Sequence, residues 1–240
     1  MTSLTFDLSS SAAPPRTVST TANADKRLLH ERTYDIKSYL EDESHIRLVG
    51  FLQDSRPHFL PGIDDDPVTM HDMQIDLIVE MPNLVIRAVQ VQMHTHPQQQ
   101  CPNVLGAYQQ LVGLSIVRGF THKVREFFGG PRACTHIGAL LNAMAPVATQ
   151  SLWAYFEGQT SVSTSAGAAV DDTYSKGLEW NRDTCHVWAS DGPMFALLAR
   201  GETPPIPVTI SRRLQKNGLD VDGWRARRSS PPTRSSATET

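Results

Sequence analysis

The chain reads as an α+β domain, and three features of its middle point that way. Apolar residues recur with a period near two from Arg32 to His96, and with a period near 3.6 from Cys101 to Phe156. The two patterns do not interleave. Strands first and helices afterwards is the order of a sheet with helices on one side rather than of a parallel α/β fold.

Four strands are expected, at Arg32–Leu40, His45–Asp54, His71–Glu80 and Leu84–His96. His71, Met73, Ile75, Leu77 and Val79 share one face of the third, and Val85, Val89, Val91 and Met93 share one face of the fourth. Met81-Pro82-Asn83 separates these two like a hairpin connection, so the strands form an antiparallel four-stranded meander with one face in need of cover. Three helices can supply it. Val104, Leu105, Tyr108, Leu111 and Val112 make the first apolar stripe. Phe120, Val124, Phe127 and Phe128 make the second, stopped by Gly129-Gly130. The third runs through Ile137, Leu140, Leu141, Met144, Ala148, Leu152 and Phe156, with Pro146 expected to kink it.

Outside this body the chain is poor in large apolar residues. Residues 1–24 are expected to be a disordered leader and 225–240 a disordered basic tail, because neither can bury enough surface to offset its ordering entropy. The Ser/Thr/Ala/Gly stretch Gln159–Ala169 is expected to be a linker, leaving residues 32–157 as the main domain and 158–224 as a C-terminal extension with short elements. The whole chain carries a net charge of -3, and the last 17 residues hold four Arg against one Glu, so residues 1–223 stand at -6. That sign argues against nucleic acid. No run approaches the roughly 18 apolar residues of a membrane helix. The leader lacks the basic start and apolar core of a secretory signal, and three cysteines in 240 residues are too few for a disulfide framework. A soluble cytoplasmic protein is the expectation.

Six of the nine histidines and two of the three cysteines lie between His58 and His136, so the chemistry is sought there. His71, Cys101, Cys134 and His136 are the candidate residues, as catalytic groups and as metal ligands. Imidazole and thiolate together suit zinc or another borderline divalent ion. Cys101 precedes Pro102, a favoured first helical residue, and Cys134 precedes the third helix, where free N–H groups and the macrodipole favour a thiolate. Small buried cysteines at helix starts explain the same positions without any chemistry. His71 is in phase with the apolar face of its strand, and His136 stands two residues from Cys134. His94 and His96 continue the opposite, Gln90 and Gln92 face, which reads as a solvated or rim pair unless a bulge before Pro97 changes the phase. Asp72 beside His71 is a candidate to orient an imidazole. Asp64–Asp66 reads as a solvated loop, and Arg118, Lys123, Arg125 and Arg132 as the wet face of a helix.

Arg32-Thr-Tyr-Asp-Ile, Ile46-Arg-Leu-Val-Gly with Asp54, His71-Asp72-Met73, Cys101-Pro102, Leu111-Val-Gly, Gly119-Phe120, Val124-Arg-Glu with Gly129-Gly130, and Cys134-Thr-His-Ile together resemble a bacterial family known only as a domain of unknown function, DUF2889. The resemblance covers roughly Arg32 to Gln150. It implies a domain boundary and a shortlist in which His71, Cys101, Cys134 and His136 fall on recurring motifs, while His94 and His96 depart from the pattern. It implies no reaction.

Three functional expectations stand side by side. The first is a small-molecule enzyme of catabolic or secondary metabolism, of hydrolase or lyase type, using these residues as a metal or thiol site. The second is a cofactor-independent isomerase or cyclase of a biosynthetic pathway, in which the same groups only position a substrate. The third is a non-catalytic accessory protein with a closed structural metal site. No G-x-S-x-G elbow, P-loop, Rossmann glycine pattern or H-E-x-x-H helix is present.

Overall fold

The computed structural model describes residues 27–57, 62–64, 66–117, 119–163, 181–202 and 206–220. The expected leader, most of the expected linker and the basic tail lie outside these residues, as do Asp65 and Arg118. The chain divides into two compact units, Met1–Leu152 and Trp153–Thr240.

In the first unit, strands β1 (Glu31–Leu40), β2 (His45–Arg56), β3 (Val68–Glu80) and β4 (Val85–Thr95) form one antiparallel sheet in the order of the sequence. The alternation that predicts β2 and β3 decides what they bury, whereas in β4 the register shifts beside Ile78 and Val79, so that Ile86 is buried where Val85 is expected on the core face, and Val89 keeps its expected place. Leu48 and Leu52 of β2, Met73, Ile75, Leu77 and Val79 of β3, and Ile86 and Val89 of β4 are all buried. Each such side chain is worth about 1.5–3 kcal/mol when fully removed from water. Helices follow at α1 (Phe120–Phe128) and α2 (Thr135–Ser163), preceded by a 3₁₀ helix at Cys101–Leu111. The expected meander and its helical cover are therefore present.

Two further details differ from the sequence reading. The first apolar stripe winds as a 3₁₀ helix rather than an α-helix, and its buried residues, Tyr108 and Leu111, are three apart, the spacing that eclipses on a 3₁₀ helix. Helix α2 runs on to Ser163, past Gln159 where a linker is expected; Pro146 sits inside it. Among the described residues no helix is long and apolar enough to cross a membrane, and Cys101, Cys134 and Cys185 are free thiols.

Gly50 lets α2 approach the sheet. A Cβ there would stand 2.7 Å from Met144 Sδ and 3.2 Å from Leu140 Cδ1. Met144 and Leu140 are fully buried and Met144 Cγ also lies 3.0 Å from that point, so Gly50→Ala should lower unfolding stability by about 1 kcal/mol and Gly50→Val by more, up to about 3 kcal/mol, in urea denaturation. In the second unit, short helices α3 (Pro193–Ala199) and α4 (Val208–Lys216) are present. There Arg182 lies over the Phe195 ring at 3.9 Å and Asp183 accepts from the backbone and hydroxyl of Ser190.

Candidate metal centre

Sheet register assembles the centre. Arg32 of β1 lies opposite Asp54 of β2, and Asp54 opposite His71 of β3, so the three form a row across neighbouring strands. The β2–β3 register shifts between Asp54 and Ser55, at the edge of this row, the kind of irregularity that re-aims side chains beside a site. The first turn of α2 then brings His136 to the same point. Tyr108 fixes that turn: its fully buried hydroxyl accepts from Cys134 N–H at 3.0 Å and donates to Cys134 O at 3.3 Å. Burial pushes the phenol well above its ordinary value, so it stays a donor.

Asp54 is 1% exposed and is the hub. Its Oδ1 accepts from Arg32 Nε at 2.5 Å, and its Oδ2 accepts from Arg32 Nη2 at 2.7 Å. The same Oδ2 lies 3.1 Å from His71 Nδ1 and 3.3 Å from His136 Nε2, and His30 Nε2 stands 3.5 Å from Oδ1. The two imidazoles stack with centroids 3.7 Å apart. Burial alone would raise the Asp54 carboxyl, but Arg32, through hydrogen bonds and charge, overcomes that and holds it below the usual carboxylate range. Both imidazoles are shifted the other way from a charged form. Burial lowers His71 despite Asp54, and burial together with the neighbouring His71 lowers His136. The cluster is thus one carboxylate and two neutral imidazoles near neutral pH.

A ligating atom from each of Asp54, His71 and His136 falls within 4.8 Å of the others, so the group could hold one metal ion. Bonds of about 2.0–2.2 Å place tetrahedral donors roughly 3.4 Å apart, within reach of small side-chain adjustments. Arg32 bonds both carboxylate oxygens, and Oδ2 also faces the two imidazoles.

Beside this group lies a cavity of about 270 Å³. Its wall comes from His71 and Met73 of β3, from Gln100, Cys101 and Val104 at the start of the 3₁₀ helix, and from Ala133 to His136 leading into α2. All four sequence-predicted residues, His71, Cys101, Cys134 and His136, therefore line one cavity. They do not contribute equally to the donor cluster. The two histidines belong to it and the two thiols do not, although Cys134 Sγ lies 3.6 Å from His136 Nδ1. The third member, Asp54, is a residue that the sequence reading did not place in the site. The carboxylate that meets His71 Nδ1 is likewise Asp54 rather than Asp72, the neighbour of His71 on β3, whose side chain alternates to the opposite face of the strand. A signal was present: Leu48, Gly50, Leu52 and Asp54 alternate on one face of β2, so an acid ends an otherwise apolar row.

His94 and His96 stay out of the cavity wall. The β3–β4 register does shift there, so that Thr95 lies opposite Asp72 and Met93 opposite Met73. His94 is exposed and bonds Gln74 Oε1 at 2.9 Å, while His96 Nδ1 meets Gln98 O at 2.9 Å. The basic residues around α1 are engaged locally: Lys123 bonds Glu126 at 2.8 Å, and Arg132 donates to Arg125 O at 3.1 Å.

An antiparallel sheet covered by helices, with a carboxylate and two imidazoles gathered beside a cavity, defines an α+β protein with a candidate mononuclear metal centre. The chain belongs to the family described as Protein of unknown function (DUF2889), whose model matches residues 30–150 and so includes every residue of the cluster and its cavity. No curated protein matches the chain, and no solved structure does.

Proposed function

We propose that the protein is a metal-dependent enzyme that acts on a small, uncharged, largely apolar substrate by hydrolase- or lyase-type chemistry. The observation that carries this reading is the Asp54–His71–His136 group, with ligating atoms within 4.8 Å of one another and both imidazoles on the cavity wall. Two imidazoles and one carboxylate suit zinc or ferrous iron better than magnesium or calcium. Three protein ligands leave a position for water or a substrate oxygen, whereas structural zinc sites fill all four. A bound ion there supplies Lewis-acid polarisation or an activated water.

The remaining cavity residues support the substrate class. Met73, Val104 and Ala133 offer apolar surface, Gln100 and Thr135 offer hydrogen bonds, and none of the nine wall residues is Asp, Glu, Lys or Arg. The volume falls just below the range of about 300–1,000 Å³ that holds drug-sized ligands. At the start of α2 the first helical bond runs from Gly138 N–H to Cys134 O, so the N–H groups just before Gly138 have no carbonyl partner within the helix. They favour an oxygen that gains negative charge.

A second reading has its own observation. His136 links Asp54, through Nε2 at 3.3 Å, to Cys134, through Nδ1 at 3.6 Å, and this is the order of a carboxylate–imidazole–thiol relay for metal-free chemistry. Titration of metal-depleted protein with zinc and cobalt(II) separates the two. Metal dependence predicts about one ion per chain, with a cobalt spectrum that changes when small oxygen ligands are added. No binding of either ion, with Cys134 alkylated by iodoacetamide faster than Cys101 and Cys185, would replace the metal reading by the relay. A cobalt spectrum indifferent to every added ligand would instead indicate a closed structural site.

A further inference from the structure

The two edges of the sheet differ. Along β4, Ile86 N–H donates to Leu114 O at 2.9 Å, Gly113 N–H to Ile86 O at 2.8 Å and Ile116 N–H to Leu84 O at 2.8 Å. The Gln109 side chain also donates to Val89 O at 3.3 Å. The first half of that edge, from Leu84 to Val89, is thus covered by its own chain. Along β1, no described residue pairs with the outer edge, and none of the ten residues of the strand is buried. Tyr34, Tyr39 and Leu40 are large, apolar and exposed, Leu40 by 60%.

An open edge of this length is a template for another strand, and proteins that must stay apart blunt it with proline, a bulge or unpaired lysine. β1 has no proline, and its pairing with β2 is continuous from Glu31 to Leu40. Its one lysine, Lys37, is no deterrent because Asp35 neutralises it at 2.7 Å.

We propose that β1 pairs antiparallel with β1 of a second copy about a two-fold axis at Ile36, joining the two sheets into one of eight strands. The charges of the strand suit a second copy as the occupant and favour this register over the two that adjoin it. A two-fold axis perpendicular to the sheet keeps both helical layers on one side and requires residues of equal parity to face each other. Centring on Asp35 sets two acids opposite, and centring on Lys37 sets two lysines opposite. Centring on Ile36 sets Asp35 against the partner's Lys37 twice, Thr33 against the partner's Tyr39, Tyr34 against the partner's Ser38, and Ile36 against the partner's Ile36. Opposite charges, Thr with an aromatic residue, and paired β-branched residues are all favourable cross-strand neighbours. In this register Arg32, which holds Asp54, stands opposite the partner's Leu40.

Charge exchange tests the proposal on the full chain by sedimentation equilibrium. Asp35 and Lys37 are half-exposed surface residues, so their substitution leaves folding intact, and melting temperatures verify this for each variant. Asp35→Lys alone and Lys37→Asp alone should each weaken the dimer about tenfold or more, since both symmetry-related pairs become repulsive. The double variant Asp35→Lys/Lys37→Asp restores opposite charges and should return the dissociation constant to within about threefold of the parent. A chain that is monomeric at every concentration overturns the proposal. So does a dimer indifferent to the single exchanges, which would use another face, or a double variant as weak as the singles.

Discussion

Asp54→Asn should reduce zinc or cobalt(II) affinity at least about a hundredfold and lower unfolding stability by about 1–3 kcal/mol. The first figure follows from removing the only charged donor of the Asp54–His71–His136 group; loss of an outer hydrogen-bonding partner alone typically costs 10- to 100-fold. The second follows from Arg32. Its guanidinium meets both carboxylate oxygens, and Asn offers it one acceptor oxygen and a repelling amide. Breaking a fully buried ion pair costs about 3–5 kcal/mol. The Arg32 side chain is one-third exposed and can turn to water, which places the loss below that range. Calorimetric titration and urea denaturation measure the two effects separately. Arg32→Gln provides the contrast, since it should loosen the carboxylate and weaken metal binding by no more than about a hundredfold. Metal affinity unchanged in Asp54→Asn would remove Asp54 from the centre and leave the imidazole–thiol pair as the functional unit.

The way the fold was legible explains why this residue was not. Alternation along β2 and β3 tells which side chains face the core and marks the covered face, while in β4 a register shift beside Ile78 and Val79 buries Ile86 in place of Val85, which alternation alone does not show. Alternation does not tell which residue of one strand meets which residue of the next. That depends on the connections between strands and on irregularities such as the shift between Asp54 and Ser55. An aspartate at the end of a strand reads as the start of a solvated turn until register sets it between Arg32 and His71. His71 was recoverable because a histidine in phase with Met73, Ile75 and Leu77 is anomalous on an apolar face. His136 and Cys134 were recoverable as a pair at a helix start. What separates their roles is a distance: His136 Nε2 is 3.3 Å from the carboxylate, while the Cys134 thiol touches only the far side of the ring. Residue type and spacing cannot supply that distinction. The 3₁₀ winding of Cys101–Leu111 was hidden for a related reason, because Tyr108 and Leu111 fit either a three-residue or a 3.6-residue period within a single turn.

Acidification should release the metal and weaken the fold over the same interval, and the direction follows from the three shifts. A metal binds the neutral imidazole and the ionised carboxylate, so protons compete only once the histidines begin to charge. His71 and His136 both titrate below the ordinary imidazole value of 6.5, so affinity should be nearly constant from pH 8 to about pH 6.5 and fall beneath it, by up to about two decades per pH unit as two protons are displaced. In the metal-free protein the unfolded chain takes up its histidine protons near 6.5 while the folded chain does not. The unfolded state then binds more protons, and stability falls as pH drops from 6.5 through the lower folded values. Asp54 acts in the same direction at lower pH. Its folded value lies below 3.8, so its contribution is complete above 3.8 and is lost as pH falls through the folded value. Melting temperature should therefore decline on acidification in two stages, with His71→Asn/His136→Asn removing the upper stage and leaving the lower one. Asn is uncharged and similar in polarity to neutral imidazole, so the double variant should be close to the parent at pH 8 and more stable relative to it at pH 5.5. A parent whose melting temperature rises between pH 6.5 and 5.5 would mean that protonated imidazoles are favoured beside Asp54, and that the centre is an ion-pair cluster instead of a metal site.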